Sequence, residues 1–125
     1  MRKRLICVIC PNGCELEVEY EITDGKISVK GISGELCKKG PKWAERELVS
    51  PVRTVCSSVF VEGGELPLVS IRTQTPIPLE RIRDLMEEIK ALKVKAPVKM
   101  GQVLLENPKG MNTKIIATRE VRAVP

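Results

Sequence analysis

Residues 7–40 read CVICPNGCELEVEYEITDGKISVKGISGELCKKG. Four of the five cysteines lie here, Cys7, Cys10, Cys14 and Cys37, in the spacing C-x2-C-x3-C-x22-C. Between the third and the fourth, Leu16, Val18, Tyr20 and Ile22 alternate with Glu15, Glu17, Glu19 and Glu21. A period of two marks a half-buried strand. Asp24-Gly25 is a turn pair that favours a tight hairpin, and Ile27 and Val29 resume the alternation on the way back. The stretch therefore reads as a cysteine-rich loop followed by a β-hairpin that carries the chain out and returns it to Cys37.

Thiolates are soft ligands, and four of them suit tetrahedral zinc or an iron–sulfur cluster. The spacing separates the two. Zinc ribbons use two C-x2-C knuckles; this chain has one, a third cysteine close behind it, and a distant fourth. Three ligands from one tight loop can wrap one face of a cubane while the fourth iron takes the distant cysteine. Gly13 allows the backbone close to the sulfides and Pro11 stiffens the loop. The expectation is one [4Fe–4S] cluster on Cys7, Cys10, Cys14 and Cys37, with zinc on the same four residues as the alternative. A redox dithiol made of Cys7 and Cys10 alone is a lesser reading, because the pair is not set at a strand end in a thioredoxin-like unit. Cys56, in TVCSSVF, is expected to be a buried strand residue.

The remaining sequence yields a small α+β plan. Residues 41–49 suit one or two helical turns, with Pro41 at the first position. Residues 52–62 and 65–73 read as strands joined at Gly63-Gly64. Residues 78–92 read as an amphipathic helix whose Leu79, Ile82, Leu85, Met86, Ile89 and Leu92 share one face; pairs Glu80–Arg83 and Arg83–Glu87 suit its surface. Residues 103–105 and 114–118 read as short strands. The expected organisation is a four-cysteine metal subdomain over 1–50 and a small β-rich subdomain with one helix over 51–125, the latter available to dock a partner. With 42% hydrophobic residues but one each of Trp, Tyr and Phe, the core must be aliphatic and modest, and a metal site is a common staple for so small a core.

Composition excludes several functions. The chain has no His, which removes His-ligated zinc and the usual acid–base residue. Net charge is +5, from 21 basic and 16 acidic residues spread along the chain, with Arg2, Lys3 and Arg4 as the one cluster; this balance could suit an acidic partner surface or nucleic acid, but its even spread favours an ordinary solvated surface. So few aromatic residues argue against nucleic acid as a partner. No stretch is long enough for a membrane span, and the apolar run at residues 5–10 is too short for a signal peptide. A cytoplasmic location is expected, where thiols stay reduced and serve as ligands in preference to disulfides.

The stretch from Cys7 to Cys14, the DGK hairpin and CKKG at residues 37–40 resemble the N-terminal [4Fe–4S] subdomain of molybdopterin oxidoreductases. The resemblance continues weakly through RELVSPVR, residues 46–53. In that family a Lys or Arg and then a Gly stand after the fourth cysteine, which implies cofactor-binding roles for Lys39 and Gly40. Those enzymes continue through large pterin-binding domains, and 125 residues are too few to enclose a pterin, so the molybdenum chemistry is not expected here. The whole chain is also similar to a small uncharacterised prokaryotic family, through GGELPLVSIRT (63–73), Ile77-Pro78 and APVKMG (96–101). Members of that family are often encoded beside a FAD-dependent glycerol-3-phosphate-type dehydrogenase and an NAD(FAD)-dependent oxidoreductase.

This resemblance implies an electron-transfer accessory subunit working with those flavoproteins. The contrasting expectation is a structural zinc adaptor that stabilises a complex. No nucleophile or acid–base pairing suggests an enzyme acting alone. Lys39, directly after a ligand, would place positive charge near an anionic cluster or meet a partner.

Overall fold

A computed structural model describes residues 1–125 and shows a mixed α+β protein that divides into two compact units, Met1–Pro51 and Val52–Pro125.

The first unit is a three-stranded antiparallel sheet covered on one face by a helix. Its strands are β1 (Arg2–Ile6), β2 (Glu15–Thr23) and β3 (Lys26–Ser33), in the order β1-β2-β3. The hairpin β2–β3 pairs from Glu17↔Ser33 to Thr23↔Lys26, with a register shift after Glu19. Its alternation sends Leu16 and Val18 fully into the core and leaves the four glutamates in water. The first strand was not foreseen. Arg2, Lys3 and Arg4 read as a terminal basic cluster, but β1 pairs Arg2↔Glu19 and Leu5↔Leu16. Charge hid a strand whose two arginines stand opposite glutamates, while Lys3 stands opposite Val18: Arg2 reaches Glu19 at 2.8 Å and Glu17 at 3.5 Å.

Helix α1 (Lys39–Val49) closes this sheet. It is longer than the expected one or two turns, and Pro41 sits third in it, not first. The missing N–H costs nothing at either place, since the first four helical donors have no internal acceptor. Gly40 and Ala44 form its buried stripe, with Trp43 and Leu48 at the margins.

The second unit is built on a nearly closed sheet of five strands. These are β5 (Cys56–Glu62), β6 (Leu68–Thr73), β8 (Lys93–Lys95), β9 (Val103–Glu106) and β10 (Lys114–Ala117), in the order β8-β5-β6-β10-β9. All neighbours are antiparallel except β5 and β8, which run parallel. The three residues of β8 carry no pattern that announces a strand. A short ladder joins β4 (Val52–Arg53) to β7 (Ile77–Pro78), so the single strand expected over 52–62 is two. Strand β6 alternates without exception, burying Val69, Ile71 and Thr73. The buried Thr73 hydroxyl oxygen accepts the Val55 N–H at 3.0 Å, so no polar atom is stranded there.

The expected amphipathic helix begins as a 3-10 turn at Leu79–Arg81 and becomes α2 at Ile82–Ala91. Leu85 and Ile89 are buried, and Ile82, Met86 and Leu92 pack around them. The tighter first turn swings Leu79 outward, to 42% exposure. It also changes the ion pairs: Glu80–Arg83 and Arg83–Glu87 do not form. Arg81 pairs with Asp84 at 3.4 Å, and Glu87 is taken by Lys109 at 2.8 Å.

Candidate metal centre

The cysteine loop hangs between β1 and β2. Beyond Ile6 the antiparallel pairing continues for one step, as the Cys7 N–H donates to the Cys14 carbonyl at 2.9 Å. This bond pins both ends of the loop, so Cys10 must lie on the excursion between them. Gly13 turns the chain back with φ of +60°, a conformation that favours glycine.

The fourth cysteine arrives through a close backbone crossing. Gly34, at φ of +96°, lies so near the start of β2 that a Cβ there would overlap the carbonyl oxygen of Glu15. Only glycine lets residues 35–37 pass alongside Cys14. The chain then enters α1, whose second residue, Gly40, turns its bare Cα toward the loop. A Cβ at Gly40 would stand 3.8 Å from the Cys7 sulfur and 3.6 Å from Cδ1 of Leu16.

The result is a cavity of about 110 Å3 lined by Cys7, Cys10, Cys14 and Cys37. Leu16 and Gly40 form its inner wall, and Asn12, Glu35 and Leu36 its rim. Exposure rises from the buried Cys7 through the half-buried Cys10 and Cys14 to the exposed Cys37, and all are free thiols. As the side chains stand, no three His, Cys, Asp or Glu groups converge closely enough to hold a single ion. The sulfurs line a space without meeting at a point. The volume is several-fold the roughly 10–15 Å3 that one water-sized guest needs.

The electrostatics of this wall are mixed. The first turn of α1 has no acidic residue and no side-chain cap, so its unpaired N–H groups and positive dipole end, which favour an anion, belong to the segment that contributes Gly40. Glu35 opposes this, but from an exposed position. Lys38 caps α1 and Lys39 opens it; both are exposed and neither lines the cavity.

Sequence reasoning had no hold on Asn12, Leu16, Glu35 or Leu36 as walls of this space. The one available signal was Ser33-Gly34 shortly before Cys37, which marks a turn without saying what it passes. Cys56 is corrected. It lies in a strand as expected, but it is exposed, opposite Arg72. In β5 the inward parity belongs to Ser57, Val59 and Val61, which leaves even-numbered Cys56 facing water.

Comparison with known proteins addresses part of the chain. Residues 38–119 match the family described as "Protein of unknown function (DUF1667)". The match starts directly after Cys37, so it covers α1 and most of the second unit but none of the four cysteines. Among solved structures, the NMR structure of Clostridium perfringens protein CPE0013 is similar, with 21% identity, a TM-score of 0.51, and coverage of 60% of this chain and 87% of that one. At that identity the likeness concerns the fold alone. No curated protein matches.

Proposed function

This chain belongs to the DUF1667 family, and we propose that it is an electron-transfer accessory subunit holding one [4Fe–4S] cluster on Cys7, Cys10, Cys14 and Cys37. The observation that carries this reading is that four cysteines spread over 31 positions of sequence all line one small cavity. The cavity has room for a group of several atoms, and a cubane takes one thiolate at each iron where zinc needs four sulfurs gathered around a single point.

A [4Fe–4S] cluster, when bound, takes up and releases one electron at a time. The chain's residues do the rest. The Cys7–Cys14 backbone bond holds the three-ligand loop, Gly34 admits the segment that brings Cys37, and Gly40 leaves the inner wall open. Leu16 keeps water from the inner wall of the site, and the start of α1 with Lys39 offsets negative charge. The partners implied by the family resemblance are a FAD-dependent dehydrogenase and an NAD(FAD)-dependent oxidoreductase. The second unit supplies further surface for holding such a complex together. No helix is long and apolar enough to cross a membrane.

The test is anaerobic purification followed by assay of iron, acid-labile sulfide and zinc, with absorption spectra before and after dithionite. About four irons and four sulfides per chain, with visible absorption that bleaches on reduction, are expected. Cys7→Ser should lose this signature and Cys56→Ser should keep it. One zinc per chain without sulfide or colour would overturn the proposal in favour of a structural adaptor, the reading that the bare donor set of four thiolates also supports.

A further inference from the structure

Side chains that the fold itself does not use stand next in sequence to the cysteines that line the cavity. Val8 and Ile9, between the first two cysteines, are 70% and 46% exposed, and Leu36 on the cavity rim is 78% exposed. The unit buries only four hydrophobic residues completely, yet it leaves three aliphatic side chains in water on the two segments that carry Cys10 and Cys37. Clustered apolar exposure of this kind marks a contact surface.

Cations run from the same place. Lys38 and Lys39 follow Cys37, and Lys39, Lys42 and Arg46 recur at i, i+3 and i+7 along the face of α1 away from buried Gly40 and Ala44. None of these four takes part in an ion pair. On the sheet of the same unit, Arg2 is matched by Glu17 and Glu19, and Lys30 by Glu21. Three carboxylates, Glu35, Glu45 and Glu47, lie on or beside the basic segment, and no ion pair joins Glu35 or Glu45 to its cations. Four cations without an ion pair thus follow the exposed Cys37 within nine residues, in a unit with nine basic and eight acidic residues in all.

Resting on the cluster reading above, we infer that this face receives a carboxylate-rich protein that exchanges electrons with the cluster. Lys38, Lys42 and Arg46 form the charged rim, and Val8, Ile9 and Leu36 form the dry centre. A phosphate backbone or an anionic membrane would meet the same cations. The aliphatic collar decides for a protein, because apolar residues at the centre and charge at the rim are the anatomy of a protein–protein contact. Cys37, the most exposed ligand, stands where collar and stripe meet, which gives the shortest route for the electron. In one encounter the partner's anionic flavin hydroquinone loses one electron and becomes the neutral semiquinone, and the cluster gains that electron. No bond to this chain forms or breaks.

The probe is a flavodoxin-type flavoprotein with a strongly acidic surface. Its affinity for the clustered protein is measured by calorimetry at low and high salt, and its reduction of the cluster by stopped flow. Binding at low salt that weakens steeply with ionic strength is expected. The triple variant Lys38→Glu, Lys42→Glu, Arg46→Glu should bind at least about tenfold more weakly and lose the salt dependence. Its iron, sulfide and bleaching by dithionite should stay at the unmodified level. Lys42→Gln with Arg46→Gln gives a milder variant with an intermediate loss, should the triple variant fold poorly.

Unchanged affinity in a fully clustered variant overturns the docking face alone. So does failure of the flavoprotein to bind the unmodified protein at low salt, or binding through these residues of a short DNA duplex or phosphatidylserine vesicles in its place. Absence of iron and sulfide from the unmodified protein overturns the cluster reading and this inference with it.

Discussion

The two units of this chain are held together by different means. The second, Val52–Pro125, buries twelve hydrophobic residues in one cluster spanning its sheet and α2. The first, Met1–Pro51, buries four, and one of these is Cys7. In the second unit core and surface are separate matters. In the first, a proposed metal ligand is also a quarter of the fully buried core. A unit of that size with so little buried apolar surface is marginal without a staple, so metal binding and folding should be one event there and unrelated events in the other.

The sharpest way to break this comparison is to remove the metal. Chelation, or Cys7→Ser, should abolish amide exchange protection across β1, β2, β3 and α1, while β5, β6 and β10 keep theirs. Hydrogen-exchange mass spectrometry reads both units in one sample, and a first unit that stays protected would refute the coupling. The converse is Leu85→Ala, which empties a fully buried site in the second unit. It should cost about 2–5 kcal/mol in that unit's unfolding and leave the absorption of the bound cluster intact. Gly34→Ala comes next. It forces a side chain into a positive-φ position against Glu15, and should destabilise the first unit by about 1–3 kcal/mol and reduce metal content, with the second unit's melting unmoved.

The smallest effect belongs to the Glu87–Lys109 pair on the second unit. The hydrogen bond from the Lys109 ammonium to Glu87 raises the lysine above its ordinary 10.5. A raised lysine pKa stabilises the fold while the ammonium is charged in both states. That contribution is complete below 10.5 and is lost as pH rises through the raised value. Glu87→Gln should therefore lower Tm slightly at neutral pH, and the gap to the unmodified protein should close in strong alkali. Because both groups are exposed to solvent, the gap should be small.

Legibility in the sequence followed the same division. The hairpin, β6 and the α2 stripe were readable because one buried face imposes a period on the residues that build it. Strand β1 was not, because basic residues stand on both of its faces, Lys3 shares the core face with Leu5, and the apolar Ile6 points outward. The start of α2 was misjudged because a 3-10 turn shifts the helical phase at Leu79–Arg81, which composition does not announce. At the candidate site the four thiols were legible from spacing alone. The wall that joins them was not: it depends on Gly34 crossing Glu15 and on Gly40 facing Cys7, contacts between segments that no local pattern encodes.

The ladder of β2 and β3 has one more consequence, for the order in which donors reach a metal. Cys14 and Cys37 are separated by 22 residues, and bringing the ends of such a loop together from a random coil costs about 2.7 kcal/mol in chain entropy. The hairpin's own backbone bonds offset part of that cost as the unit folds with its metal, so Cys37 would come beside the loop closed by Cys7 and Cys14 in that same event. Assembly then has the character of a latch: three local donors capture, and the last, still open to solvent, shuts. If the proposed metal is bound, Cys37, the outermost of the four thiols, would be the first donor to let go and the place where oxidants or chelators would begin dismantling the site.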